Sequence, residues 1–152
     1  MKVLQICSKP PVPSIDGGCK AMNNITEGLL SNNIRVKVLT ISTAKHPFLP
    51  EKMSADYIEK TNIEHCFIDT RVNPVSALLN LCKSNSYNLS RFYCKKFEEL
   101  IVSTLDKEEF DVIILEGLFV SGYIDSIRKI TKSKIVFRAH NVEHEIWERN
   151  TQ

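Results

Sequence analysis

The residues best equipped for chemistry stand in three short groups: Asp16-Gly17-Gly18, Glu116-Gly117 and Arg138-Ala139-His140-Asn141. In the first, two glycines let backbone N–H groups come close to an anion, and the start of a following helix adds a favourable dipole. The same pair could do no more than turn the chain into that helix. In the second, a carboxylate can accept hydrogen bonds from hydroxyl groups, or can simply sit well at the positive end of a helix. The third sets an imidazole, an amide and a guanidinium side by side, a set able to bind sugar hydroxyls or phosphate and to shuttle protons. A lone histidine reads as a core or cap residue; three polar groups together tip the reading toward a site.

Other reactive patterns are missing. There is no G-x-G-x-x-G fingerprint, no Gly-Lys-Ser/Thr of a P-loop and no G-x-S-x-G elbow for a nucleophilic serine. Cys7 is not followed six residues later by the arginine a cysteine phosphatase needs, and no Asp-x-Asp clamp offers to hold a metal and a nucleotide diphosphate. His140, His144 and Glu148 fall at four-residue steps, so one helix would turn all three to the same side, as metal ligands are turned. That zinc-enzyme alternative is weakened because the pattern is not H-E-x-x-H and His140 precedes the first helical turn. No metal is expected. Glu145 and Arg149 read as a solvated helix pair, and Trp147 as a packing anchor.

Composition narrows the partners. The 152 residues are 43% hydrophobic and 25% charged, the proportions of one ordinary globular domain, large enough to build a core without a staple. A formal net charge of +2 with no block of either sign gives no reason to expect nucleic acid. Five cysteines, odd in number and without a C-x-x-C pair, read as reduced thiols packed like small apolar groups. MKVLQICSKPP lacks the features of a secretory signal, so a cytoplasmic protein is expected. No run reaches the roughly 18 apolar residues of a membrane span, so any membrane contact would be peripheral, at the inner face.

These groups need a scaffold that gathers them. Apolar runs alternate with helical patterns, which predicts repeated strand–helix units and a parallel sheet. Strands are expected at Lys2 to Cys7, Ile34 to Ile41, Ile63 to Ile68, Asp111 to Leu115 and Lys134 to Phe137. The second is nearly continuous in branched residues, as befits a central strand covered on both faces. Helices are expected from about Cys19 to Ser31, near Glu51 to Glu59, after Asn73-Pro74, from Asn88 to Asp106, after EGLFVSGY as far as Lys129, and beyond Asn141. On the fourth of these, Phe92, Phe97, Leu100, Ile101 and Leu105 recur at near-helical spacing and predict a stripe against the sheet. A membrane-surface helix using Arg91, Lys95 and Lys96 is the alternative. The fold class is therefore α/β, a Rossmann-like three-layer sandwich around a mainly parallel sheet of five or more strands. The three polar groups follow its first, fourth and fifth strands, at the end where such sheets bind ligands.

MKVLQIC, the proline-rich loop ending in Asp16-Gly17-Gly18, FDVIILEGLF and above all KIVFRAHNVEHEIWER resemble the N-terminal domain of the retaining glycosyltransferases of family four, which have the GT-B architecture. The match spans the whole chain in order, and RAHNVEHEIWER is its most specific part. The resemblance implies one half of a two-domain, metal-independent enzyme without a cofactor. A nucleotide-diphosphate sugar would be donor, and a glycan or lipid-linked molecule acceptor. By that similarity the loop of Asp16, Gly17 and Gly18 approaches the donor diphosphate or the acceptor, His140 lines the reaction centre, and Glu116, Arg138 and Asn141 position the acceptor. The family's C-terminal glutamate motif and the basic residues that stabilise the departing diphosphate have no counterpart here. These 152 residues alone are thus expected to be an inactive fragment that works with its own C-terminal domain, in an enzyme compatible with polysaccharide biosynthesis. The reading from a different class is a non-catalytic flavodoxin-like binding domain.

Overall fold

The computed structural model describes residues 1–70 and 92–139. Strand β1 (Lys2–Cys7) leads through a proline-rich loop into helix α1 (Gly17–Ser31), then β2 (Arg35–Ser42). A 3₁₀ turn (Pro50–Lys52) and helix α2 (Ala55–Thr61) precede β3 (Glu64–Phe67). Helix α3 (Lys95–Lys107), β4 (Val112–Glu116), a 3₁₀ segment (Leu118–Tyr123) running into α4 (Ile124–Ile130), and β5 (Lys134–Arg138) follow.

The five strands make one all-parallel sheet in the order β3-β2-β1-β4-β5. This is the α/β, Rossmann-like architecture that the alternating pattern predicts. It is also the order of the first five strands of the doubly wound 3-2-1-4-5-6 sheet, whereas a flavodoxin-like sheet runs 2-1-3-4-5. The order reverses between β1 and β4, and there the loops leaving the two strands part and open a crevice.

Along the inner strands β1, β2 and β4 both faces of the sheet are covered, so these strands are mostly buried and carry mainly apolar residues, whereas the edge strands β3 and β5 are largely exposed. Because side chains alternate along a strand, Leu4, Ile6, Leu39, Ile41, Ile113 and Leu115 share one face with Phe97, Ile101 and Leu105 of α3 and with Tyr123 and Ile127. Cys7, Val36 and Val38 point the other way, into a second cluster with Met22, Met53, Tyr57 and Ile63. The α3 stripe thus packs on the sheet, while Lys95 and Lys96 lie exposed on its outer side.

Element ends follow local chemistry. Asp16 caps α1 by accepting from the Cys19 amide at 2.8 Å, and Ser54 caps α2 by accepting from Tyr57. The chain leaves both helices through asparagines with positive φ, Asn33 and Asn62, a conformation asparagine tolerates better than most residues.

Three expectations need adjusting. The region near Glu51 to Glu59 is a 3₁₀ turn and a short helix, separated where Ser54 starts the second. The strand at the sheet's centre is β1, with β2 beside it. The fourth helix starts at Lys95, not Asn88, since Cys94 is extended, with φ −139°. Its amide donates to the Tyr123 hydroxyl at 2.9 Å instead of to a helical carbonyl. The helix expected after EGLFVSGY is present, from Ile124 to Ile130. The helix expected after Asn73-Pro74 and Cys82 lie outside the described residues. Cys7, Cys19, Cys66 and Cys94 are free thiols, and no described helix is long and apolar enough to cross a membrane.

Candidate functional site

A cleft of about 1030 Å³ opens at the carboxyl ends of the strands. One wall comes from the loop after β1 and the start of α1, with Lys9, Asp16, Gly17 and Gly18, joined by Thr43, Lys45 and His46 from the loop after β2. The opposite wall is built after β4 and β5, from Gly117, Leu118, Phe119, Phe137 and Ala139, together with Phe92.

Asp16 organises the polar wall. While its Oδ1 caps α1, its Oδ2 accepts from Lys9 Nζ at 2.6 Å and lies 3.1 Å from His46 Nε2. Partial burial works to raise its pKa, but the hydrogen bonds from Lys9, the Cys19 amide and His46 outweigh that and hold the carboxyl well below the usual carboxylate range. His46 is placed by its own loop, where its amide donates to Thr43 Oγ1 at 3.1 Å and its carbonyl accepts from the Thr43 amide at 3.0 Å.

The two glycines differ in what they allow. A Cβ on Gly17 would meet nothing within 4 Å, whereas one on Gly18 would stand 2.9 Å from Lys9 Nζ and 3.0 Å from its Cε. Gly18 therefore makes the room in which the Lys9 ammonium lies over the first turn of α1. Asp16-Gly17-Gly18 both turns the chain into the helix and faces the cleft.

The second group is arranged differently from the expected carboxylate at the crevice mouth. Glu116 is fully buried. The register sets Cys7, Glu116 and Arg138 in one row across β1, β4 and β5, which turns their side chains to the same face. Arg138 Nη1 donates to Glu116 Oε1 at 2.7 Å and lies 3.0 Å from Oε2. Gln5, two residues before Cys7 on that face, donates its Nε2 to Oε1 at 2.9 Å. Gln5 Nε2 also reaches the Met22 carbonyl at 3.2 Å, and its Oε1 accepts from Thr26 Oγ1 at 2.6 Å. Glu116 and Arg138 thus lie together beneath the cleft, bracing the ends of the strands whose loops form its wall. Gly117 has φ 92°, a region that favours glycine. It swings the chain out from this buried pair, and its amide donates to the Arg138 carbonyl at 2.9 Å.

The same row fixes Cys7. Burial, then the neighbouring Glu116 charge, pushes its thiol well above the ordinary range, so it is a packed thiol and not a nucleophile. Among the described residues no group of histidine, cysteine and carboxylate side chains could hold a metal.

The apolar wall is held from behind. Phe92 stacks on Phe119, with centroids 4.1 Å apart. The Tyr123 hydroxyl donates to the Phe92 carbonyl at 2.7 Å while accepting from Cys94, which ties the segment before α3 to the 3₁₀ segment after β4.

Of the residues singled out from sequence, Asp16, Gly17 and Gly18 line the cleft and Glu116 and Arg138 underlie it. His140 and Asn141 lie outside the described residues, as do His144 and Glu148; Ala139, just before them in the chain, is on the cleft wall. Sequence reasoning missed Lys9, Lys45, His46, Gln5 and the phenylalanine wall. Lys9 was within reach of the strand-end rule, and Gln5 was marked by being polar inside an apolar strand. His46 carried no local signal, since its partner Asp16 is 30 residues earlier. No protein-family model, curated protein or solved structure matches the chain.

Proposed function

We propose that this chain is the N-terminal, acceptor-side half of a metal-independent, retaining glycosyltransferase of the GT-B type, as the resemblance of RAHNVEHEIWER and the glycine loop to family four implies. The observation that carries the reading is convergence: the loop after β1, the Gly117 turn after β4 and the end of β5 border one cleft at the switch point of the sheet.

In this reading the Lys9 ammonium and the start of α1 face the anionic groups of the substrates, with Asp16 holding Lys9 in place. The Glu116–Arg138 pair keeps the ends of β4 and β5 at a fixed spacing beside the cleft. His140 is the residue placed beside the transferred sugar by the family resemblance. Stabilisation of the leaving diphosphate falls to the nucleotide-sugar lobe, which makes these residues inactive without it.

The test is His140→Ala in the full-length enzyme. Turnover with its own donor and acceptor should fall at least about 100-fold, as for loss of a group that acts at the reacting centre. Unchanged turnover with an intact fold removes the proposed role.

A further inference from the structure

The fold brings two free thiols together from distant parts of the chain. Cys66 stands opposite Ile41 in the register of β2 and β3, on the face of the sheet that α3 covers, and Cys94 is the residue from which α3 starts. Both pack against the same apolar cluster, and the Cys66 thiol lies within hydrogen-bonding reach of the Cys94 thiol. We propose that Cys66 and Cys94 are a redox-active pair, closing to a disulfide when a small-molecule disulfide is present and opening again when a thiol reductant returns.

Position separates this pair from the other described thiols. Cys7 and Cys19 are fully buried and closed to a reagent, whereas Cys66 and Cys94 are each partly exposed. A disulfide holds its Cβ atoms about 3.5–4.5 Å apart, and two thiols already in contact reach that spacing with little movement of β3 or of the chain entering α3.

The exchange is balanced. One thiolate attacks a sulfur of the added disulfide, forming a mixed disulfide and expelling one small thiolate; the neighbouring thiolate then attacks the protein sulfur, forming the Cys66–Cys94 bond and expelling the second. The protein gives up two electrons and two protons, which the reagent takes as two thiols.

The bond bears on the cleft. The Cys94 amide donates to the Tyr123 hydroxyl at 2.9 Å, that hydroxyl donates to the Phe92 carbonyl at 2.7 Å, and Phe92 stacks on Phe119 in the apolar wall. Fastening Cys94 to β3 adds a covalent hold to the segment that supplies one ring of that stack.

Burial, then the neighbouring Cys94, pushes the Cys66 thiol above its ordinary range, with Lys96 acting the other way, so the exchange is run at mildly alkaline pH to supply thiolate. The freshly reduced 152-residue chain is exposed to excess hydroxyethyl disulfide, blocked with iodoacetamide and mapped by mass spectrometry without reduction. The expected product is a monomer lighter by two hydrogens, with Cys66 and Cys94 in one cross-linked pair of peptides that dithiothreitol separates. Cys66→Ser and Cys94→Ser should each stop at the mixed disulfide on the remaining thiol. Deuterium exchange of the Cys94 amide should slow by about fivefold or more on oxidation. In concentrated urea the preference for this pair should vanish. Should a variant fail to fold, the map of the unaltered chain still decides. No cross-link, a cross-link to Cys82 instead, or dimers alone overturns the proposal, as does the same linkage in urea, which would mean that the fold does not select the pair. Unchanged exchange at Cys94 overturns the hold on the cleft wall.

Discussion

Arg138 at the end of β5 meets both carboxylate oxygens of Glu116 at the end of β4, at 2.7 and 3.0 Å, because the two stand opposite each other in the strand register. The carboxylate is fully buried while the guanidinium keeps 31% of its side-chain exposure. A pair of this kind contributes less net stability than its short distances imply, since both charges give up hydration to form it. Its effect is geometric: it locks the two strand ends that carry Gly117 and Ala139.

Arg138→Ala should therefore destabilise the domain by about 3 kcal/mol, the lower end for breaking a buried pair, because the guanidinium is partly open to water. Urea unfolding measures it. Glu116→Leu combined with Arg138→Met should cost less than Arg138→Ala alone, since no charge is then left buried without its partner. Equal or greater loss in the double variant would contradict this account.

Asp16 predicts an acid-sensitive component of stability. Its folded pKa is lowered, so the unfolded chain binds the proton more readily than the folded one. The contribution is complete above the unfolded-state value of about 3.9, and is lost as the pH falls below it and through the folded value. Asp16→Asn keeps a competent helix cap but removes the charge that Lys9 and His46 face. Unfolding midpoints between pH 6 and pH 2 should show a steeper acid decline for the unaltered chain than for Asp16→Asn; parallel declines would sink the assignment.

Tyr123→Phe keeps the ring in the core but deletes the hydroxyl that joins Cys94 to Phe92. Two hydrogen bonds of ordinary strength disappear, for a loss of about 1–3 kcal/mol. The local consequence should exceed the global one: exchange of the Cys94 amide with deuterium should accelerate more than exchange in β1, where the ladder is untouched. Equal acceleration at both would mean that the hydroxyl holds no local segment.

The sheet was legible in the sequence because a buried parallel strand needs a mainly apolar run, which β1, β2 and β4 supply, while the edge strand β3, with Glu64 and His65, shows it only through the flanking Ile63 and Ile68. The start of α3 was not, because Phe92 continues the helical spacing of Phe97, Ile101 and Leu105 while a tertiary hydrogen bond from Tyr123 holds the backbone at Cys94 extended. The glycine loop could be read from composition, since Gly17 and Gly18 open a helix after a strand. Glu116 could be placed at a strand end but not inside the protein, because its burial depends on Arg138 and Gln5 converging on it from two other strands. His46 and the phenylalanine wall were illegible for a similar reason, as they become neighbours of the glycine loop only through the strand order.

That order also bears on how the chain is made. Strand β1 is synthesised first, yet it lies at the centre of the sheet and is complete only when β4 joins it; the Lys2 amide finds its partner in Asp111, 109 residues later. At roughly 5–20 residues per second, translation takes on the order of 5–20 seconds to cover that distance. Until β4 is made, the central strand therefore lacks its partner on one side, and that side can pair only once most of the described chain has been synthesised.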